Sequence, residues 1–129
     1  MLLVKTYLAP SPIHGIGLFA DQFIPRGTQI WEFTNGMDFE ISQDEIAKLS
    51  PLDQGFVARY GYRNKVTGKH VVCVDDARFF NHSSKPNTDN TDEKYTIANR
   101  DIESGEELTC DYFEFDADAE GLLRLQLKP

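Results

Sequence analysis

The ten residues Arg78-Phe79-Phe80-Asn81-His82-Ser83-Ser84-Lys85-Pro86-Asn87 crowd amide, imidazole and hydroxyl groups into one loop-forming stretch. Such side chains either hydrogen-bond their own backbone or hold a polar small molecule. No cysteine lies nearby in sequence and no nucleophile elbow is present, which disfavours covalent hydrolase chemistry. Glu107-Leu108-Thr109-Cys110-Asp111-Tyr112 reads as a strand end whose alternation puts Leu108, Cys110 and Tyr112 on one face. There Cys110 reads as a small buried apolar residue, and Tyr112 as a buried aromatic whose hydroxyl needs a partner. A third segment, Gly15-Ile16-Gly17-Leu18-Phe19-Ala20, has the spacing of a dinucleotide fingerprint. Pro25 and Gly27 follow too soon for the helix that fingerprint requires, leaving a turn where backbone groups can approach a ligand closely.

The elements that must position these groups are short. With 129 residues, 40% of them hydrophobic and 26% charged, the chain reads as a single domain, 1–129, able to bury a core without disulfides. Gly and Pro break it into brief β segments, so the expected class is mostly β. One helix is signalled by the capping box Ser42-Gln43-Asp44-Glu45 and stops before Pro51. Thr67-Gly68 reads as the tip of a hairpin between strands at 57–63 and 70–75. The Leu123-Arg124-Leu125-Gln126-Leu127 tail alternates like a strand but is built of helix formers, and stays open between the two. Residues 20–30 and 98–108 share Ala, Asp/Asn, Ile, Gly and a final Ile/Leu in register, which predicts two related β-turn-β units, each with a positive-φ glycine.

The net charge of −8 is uneven: residues 101–120 hold nine Asp or Glu and no Lys or Arg. Such a run repels nucleic-acid phosphates and attracts cationic partners, so direct nucleic-acid binding is not expected. Met1-Leu2-Leu3-Val4 is cut off by Lys5, too short for a signal peptide core or a membrane span. Two unpaired cysteines, Cys73 and Cys110, suit a reducing compartment, cytoplasmic or, in a eukaryote, nuclear. Three scattered histidines give no visible metal ligand set.

In order along the chain, Gly15-Ile16-Gly17, Arg78-Phe79-Phe80-Asn81-His82-Ser83 with Pro86-Asn87, and Glu107-Leu108 with Asp111-Tyr112 resemble the G-x-G, R-F-x-N-H-S-x-x-P-N and E-L-x-x-D-Y motifs of SET-domain protein-lysine methyltransferases. Ile24-x-x-Gly27 and Ile102-x-x-Gly105 match the turns before the family's strands, so the resemblance spans about residues 10–115. It implies a β-clip-like fold of small curved sheets, one or two short helices and a threaded C-terminal segment. It also implies methyl transfer from S-adenosylmethionine, with no metal, to lysines of a basic protein tail, histone-like or other. By position, Gly15, Ile16, Gly17, Asn81 and His82 would hold the cofactor and Tyr112 would stand at the transfer point. A sulfonium about 4 Å from the lysine ammonium would lower its pKa by about three units. A phenol of pKa about 10 is a costly base at neutral pH, which favours a positioning role for Tyr112.

The sequence departs from the family pattern in four places. Ser84 stands where many members have cysteine and no Cys-rich tail follows, so Phe113, Phe115 and residues 122–127 are expected to cover the cofactor and line the lysine channel. Cys110 replaces an aromatic that limits methyl number, which predicts a di- or trimethylating enzyme. Phe33 stands where a tyrosine is usual, with Tyr60 or Tyr62 as its replacement in the channel. No Cys-rich segment precedes the domain, so 116–129 serves either as lid or as a homodimer contact. The alternative to an enzyme is a catalytically silent binding or scaffold module on the same fold.

Overall fold

Two turns of matching sequence face each other at the centre of the molecule. Ile24 and Ile102 exchange both backbone hydrogen bonds, each 2.8 Å. Around them Gly27 N–H donates to Ala98 and Gly105 N–H to Ala20, again at 2.8 Å each. Both glycines have positive φ, +86° and +93°, a region closed to most side chains. The shared Ala, Ile and Ile/Leu positions of both copies, Ala20, Ile24, Ile30, Ala98, Ile102 and Leu108, are fully or almost fully buried in one cluster with Leu18. The repeat therefore forms a pseudo-twofold core, whose tight polypeptide packing demands small and branched residues at fixed places.

The computed structural model describes residues 1–126. In chain order the elements are β1 (Thr6–Pro10), β2 (Ile16–Ala20), β3 (Gln29–Glu32), β4 (Phe39–Ile41), α1 (Gln43–Ala47), α2 (Pro51–Tyr60), β5 (Tyr62–Arg63), β6 (His70–Val72), β7 (Asn81–His82), β8 (Thr88–Asp89), β9 (Tyr95–Ala98), β10 (Thr109–Cys110) and α3 (Ala119–Gln126). They make four small sheets: β1-β2, β3-β9-β8 and β4-β6-β5, all antiparallel, and the parallel pair β7-β10. The mostly β architecture of small sheets and short helices is the one expected from sequence.

Three local readings need correction or completion. The segment from 57 is not a strand until Tyr62, because α2 runs from Pro51 to Tyr60. Ser50 caps it by accepting the Asp53 N–H, and Pro51, which sequence reading takes as a stop, sits at the first helical position, where the missing N–H costs nothing. The hairpin survives in shorter form: β5 pairs with β6, with Gly68 at φ +71° near its tip. The tail is helical, as α3 shows up to Gln126, while Leu127 lies outside the described residues.

These corrections matter for the site because β7 and β10 are only two residues each. Their parallel pairing sets Thr109 opposite Asn81 and Cys110 opposite His82. Asn87 staples the arrangement: its Oδ1 accepts the Thr109 N–H at 2.9 Å and its Nδ2 donates to the Glu107 carbonyl at 2.8 Å. The two motif segments are thereby locked side by side.

Candidate functional site

The turn before β2 is tied to β7 through one amide. Asn81 Nδ2 donates to the His14 carbonyl at 3.0 Å and to Glu107 Oε1 at 2.9 Å, with the Ile16 carbonyl a more distant acceptor at 3.5 Å. Glu107 in turn accepts the Ser11 hydroxyl on both oxygens, at 2.7 and 2.9 Å. Gly17 makes this possible: a Cβ there would lie 2.2 Å from Glu107 Oε1. Gly15 supplies the positive φ, +48°, that brings the turn round toward Asn81. The two glycines of the first motif thus serve different needs, one close approach and one backbone conformation.

The next residue of β7 reaches Tyr112. His82 Nδ1 accepts the Tyr112 backbone N–H at 3.1 Å. Asp111 Oδ1 is 3.6 Å from the same nitrogen, but a nitrogen that accepts an N–H has no proton to give, so we count the hydrogen bond and not an ion pair. The imidazole then carries its proton on Nε2. Asp111 caps the short 3₁₀ turn Tyr112–Glu114 by accepting the Phe113 N–H. The Tyr112 hydroxyl donates to the Phe80 carbonyl at 2.6 Å, and its ring lies 5.3 Å from His82 and 6.0 Å from Phe115.

Tyr112 also lines a pocket to which His82 does not contribute. Tyr60, Tyr62, Tyr95, Cys110, Phe115 and Asp116 are among the side chains lining it, with Leu122 of α3. Tyr62 and Phe115 meet edge to face at 4.9 Å. Trp31 also lines it, and its buried indole N–H has no acceptor among the described residues. Asp92, Glu93 and Asp116 contribute carboxylates, Arg59 and Arg78 guanidinium groups. Burial pushes the Cys73 thiol up to about 12, raises the Cys110 thiol well above its ordinary value and raises the Tyr62 phenol, so the wall groups are neutral at pH 7. Desolvation also raises the Asp116 carboxyl, against the pull of two backbone N–H groups.

The expected site residues fall into three groups. Gly15, Ile16, Gly17, Asn81 and His82 lie together, Gly17 and Asn81 buried and Gly15 and Ile16 exposed, and Tyr112, Tyr60, Cys110 and Phe115 share a separate pocket. Phe33 instead lines a neighbouring pocket with Asp38, Glu40 and Asn64, while Tyr62 belongs to both. Phe113 faces outward, half exposed, its ring 5.7 Å edge-on to His82. Sequence reading missed Trp31, Tyr95 and Asp116, which come from distant strands and from beyond the last motif. It also read 101–120 as one acidic face. Here Glu107 turns inward, Glu106 pairs with Arg100 and Asp118 with Arg63, and only Asp116 of that run lines the pocket. Among the described residues no His, Cys, Asp or Glu group could hold a metal ion, and no helix is long and apolar enough to cross a membrane.

Comparison with known proteins agrees with this arrangement. A family model described as SET domain matches residues 15–113, from the glycine turn to just past Tyr112. Human "Histone-lysine N-methyltransferase 2D" is 32% identical over 126 residues, covering 88% of this chain and 2% of that protein. "Histone-lysine N-methyltransferase, H3 lysine-4 specific" of Mycosarcoma maydis is 34% identical over 124 residues, covering 87% and 8%. The chain therefore spans only a small part of the length of these curated relatives. Among solved structures, an apo ctPRC2 with two substitutions in Ezh2 superposes with a TM-score of 0.66 at 25% identity, over 92% of this chain and 16% of that one. An active polycomb repressive complex 2 in the basal state gives 0.60 at 26% identity, over 84% and 15%. With the matched span covering most of the chain and enclosing the glycine turn, the Asn81-His82 pair and Tyr112, this chain belongs to the SET domain family.

Proposed function

We propose that the chain transfers methyl groups from S-adenosylmethionine to lysine side chains of a basic protein segment, histone-like or other. The observation that carries this reading is the position of Tyr112. Its backbone N–H is held by His82, which adjoins Asn81 and through it the glycine turn, and the residue lines the aromatic pocket. A cofactor on the first side, that of His82, and a lysine in the pocket would meet at this phenol.

The residues on the first side suit the cofactor. Ile16 is 51% exposed and Phe113, whose ring meets the His82 imidazole edge-on at 5.7 Å, 50%, offering apolar surface at the turn and beside the imidazole. Gly15 leaves open space at the turn. Bound there, S-adenosylmethionine supplies an electrophilic methyl on a positively charged sulfur. Gly15, Ile16, Gly17, Asn81 and His82, with Phe113 as a flanking ring, are the residues proposed to hold it, while Phe115, which packs on Tyr62 and Tyr112, belongs to the lysine side. Tyr60, Tyr62 and Cys110 would line the lysine channel, and Phe33 would act at the adjoining pocket. Asp92 and Glu93 at the pocket wall draw in a cationic side chain.

Tyr112 positions. Its hydroxyl donates to the Phe80 carbonyl, which fixes the ring at the pocket wall. The chain's own part in catalysis is thus alignment and exclusion of water, worth up to about 7 to 11 kcal/mol when both reactants are held in line. Cys110 leaves room for methyls already attached, which supports di- or trimethylation. Helix α3 would act as lid through Leu122, and work at chromatin or in the cytoplasm belongs to the same proposal.

The test is radiolabelled methyl transfer to a mixture of lysine-rich peptides and histones. The wild type should label them, and Tyr112→Phe should fall by roughly 10² to 10³, the usual cost of removing one positioned hydrogen-bonding group. No label above background with the wild type overturns the enzymatic reading.

A further inference from the structure

Two guanidinium groups meet at one ring of the pocket wall. Arg59, in the last turn of α2, has its Cζ 5.4 Å from the centroid of the Tyr60 ring. Arg78, in the 3₁₀ turn Asp76–Phe79, stands 5.9 Å from the same centroid and 4.9 Å from that of Phe79. Tyr60 and Phe79 meet edge to face at 5.8 Å, so the two rings and the two cations form one cluster. Arg59, Tyr60 and Arg78 all line the pocket that Tyr112 lines. Arg78 is tethered further by donating to the Val74 and Asp75 carbonyls at 3.2 and 3.1 Å.

The net charge of the chain is −8, yet neither of these arginines forms an ion pair among the described residues, whereas Arg63 and Arg100 are paired with Asp118 and Glu106. Stacking on an aromatic ring orients a guanidinium and leaves its N–H edge free for a ligand. Two cations held at one ring repel each other, and an anion between them relieves both. Asp92 and Glu93 line the same pocket and pair with neither arginine, so the pocket carries charge of both signs that does not cancel internally. A lysine flanked only by cations would set like charge against Arg59 and Arg78. A lysine with an acidic neighbour meets both walls with the opposite sign.

We propose that Arg59 and Arg78 read an anionic side chain, a carboxylate or a phosphorylated residue, lying one to three places from the lysine that enters the pocket. An extended peptide advances about 3.3 Å per residue, so a neighbour at that separation reaches the arginines while the lysine is in place. The inference rests on the reading that a lysine enters this pocket, and it names the preferred segment as one in which an acidic residue interrupts the basic ones. Binding alone expresses it, without turnover.

The test measures binding of fluorescent peptides to the full chain by anisotropy. Each peptide carries one lysine among Gly, Ser and Ala, with Glu, phosphoserine, Gln or Lys placed in turn at each of the three positions on either side. At one or more positions Glu or phosphoserine should bind about tenfold more tightly than Gln, and Lys more weakly than Gln. The tighter of the two anions identifies the source of the charge. The preference should shrink in molar salt. Norleucine in place of the lysine should weaken every peptide. Arg59→Glu should reverse the order of Glu and Lys, and Arg59→Lys should keep part of the wild-type preference. Equal binding of the anionic and Gln peptides at every position, an order unchanged by Arg59→Glu, affinity undiminished by norleucine, or no binding at millimolar peptide overturns the proposal. Should Arg59→Glu fail to fold, the wild-type order and its salt dependence decide in the same way. Methyl transfer without an anion preference sinks only this inference, whereas the preference without transfer sinks only the enzymatic reading.

Discussion

Gly17 and Glu107, ninety residues apart in sequence, stand so close that a single added carbon would lie 2.2 Å from the carboxylate. The same carboxylate holds Ser11 and Asn81. Gly17→Ala must push Glu107 away and break part of this network. We expect a loss of about 1 to 3 kcal/mol, typical of overpacking. At roughly 3 to 6 °C per kcal/mol for a domain of this size, this is a shift that a thermal melt resolves. An unchanged melting temperature would mean that the carboxylate is free to move.

The His82 imidazole acts first as an acceptor for the Tyr112 backbone N–H. His82→Ala leaves that N–H without a partner, at about 1 to 3 kcal/mol. His82→Asn offers an amide oxygen near the place of Nδ1 and should recover most of the stability. Denaturant unfolding of both variants checks this; equal losses would show that the hydrogen bond is unimportant.

Cys110 is packed against Phe80, Phe115 and Ala119 at the pocket wall. Cys110→Phe should shift methyl transfer toward monomethyl product and cost about 1 to 3 kcal/mol from overpacking. Mass spectrometry at long reaction times measures the product. A wild type that stops at one methyl would remove the argument from side-chain size.

Asp116 should make the protein less stable at neutral pH than a neutral residue would. Burial raises its folded pKa above the unfolded value of about 3.9, so the unfolded state gives up the proton more readily. The resulting penalty is present in full above the raised value. It fades as pH falls through that value and is gone below the unfolded one. The nearby charges that tune it are Asp118, which adds to the rise, and His70, which opposes it. Asp116→Asn should therefore melt higher than the wild type at pH 7, with the gap closing toward pH about 4. A gap that widens on acidification would reverse the assignment.

Both thiols should resist alkylation in the folded state. Cys73 and Cys110 are buried, and their pKa values are pushed up, to about 12 for Cys73, so almost no thiolate is present at pH 8. Iodoacetamide should label neither until denaturant is added, then both, as read by intact mass. Rapid labelling of native Cys110 would mean that the pocket opens to solvent.

What the amino-acid order fixed was local and repetitive. The glycine turn, the Asn81-His82 segment and the strand ending at Tyr112 carry their chemistry in contiguous residues, and the repeat of 20–30 in 98–108 forecast two related turns, whose pairing through Ile24 and Ile102 only the fold supplied. Capping chemistry at Ser42 was legible for the same reason, since its partner Glu45 is three residues away. The second helix was legible too, in Ser50 and Pro51, but proline has opposite meanings at a helix start and in its interior, and only packing chose between them. The pocket belonged to the tertiary structure alone. Trp31, Tyr62, Tyr95 and Asp116 have no common spacing, and only the way β3, β5, β9 and the chain after Tyr112 converge sets them around one space. The same holds for charge: composition counts carboxylates, but folding decided that Glu107 would face Asn81, Asp118 would face Arg63 and Asp116 would turn inward onto the Arg63 and Asp118 backbone N–H groups. Bonding within a few residues is set by the backbone's short reach, whereas desolvation and long-range pairing exist only once the chain has closed on itself.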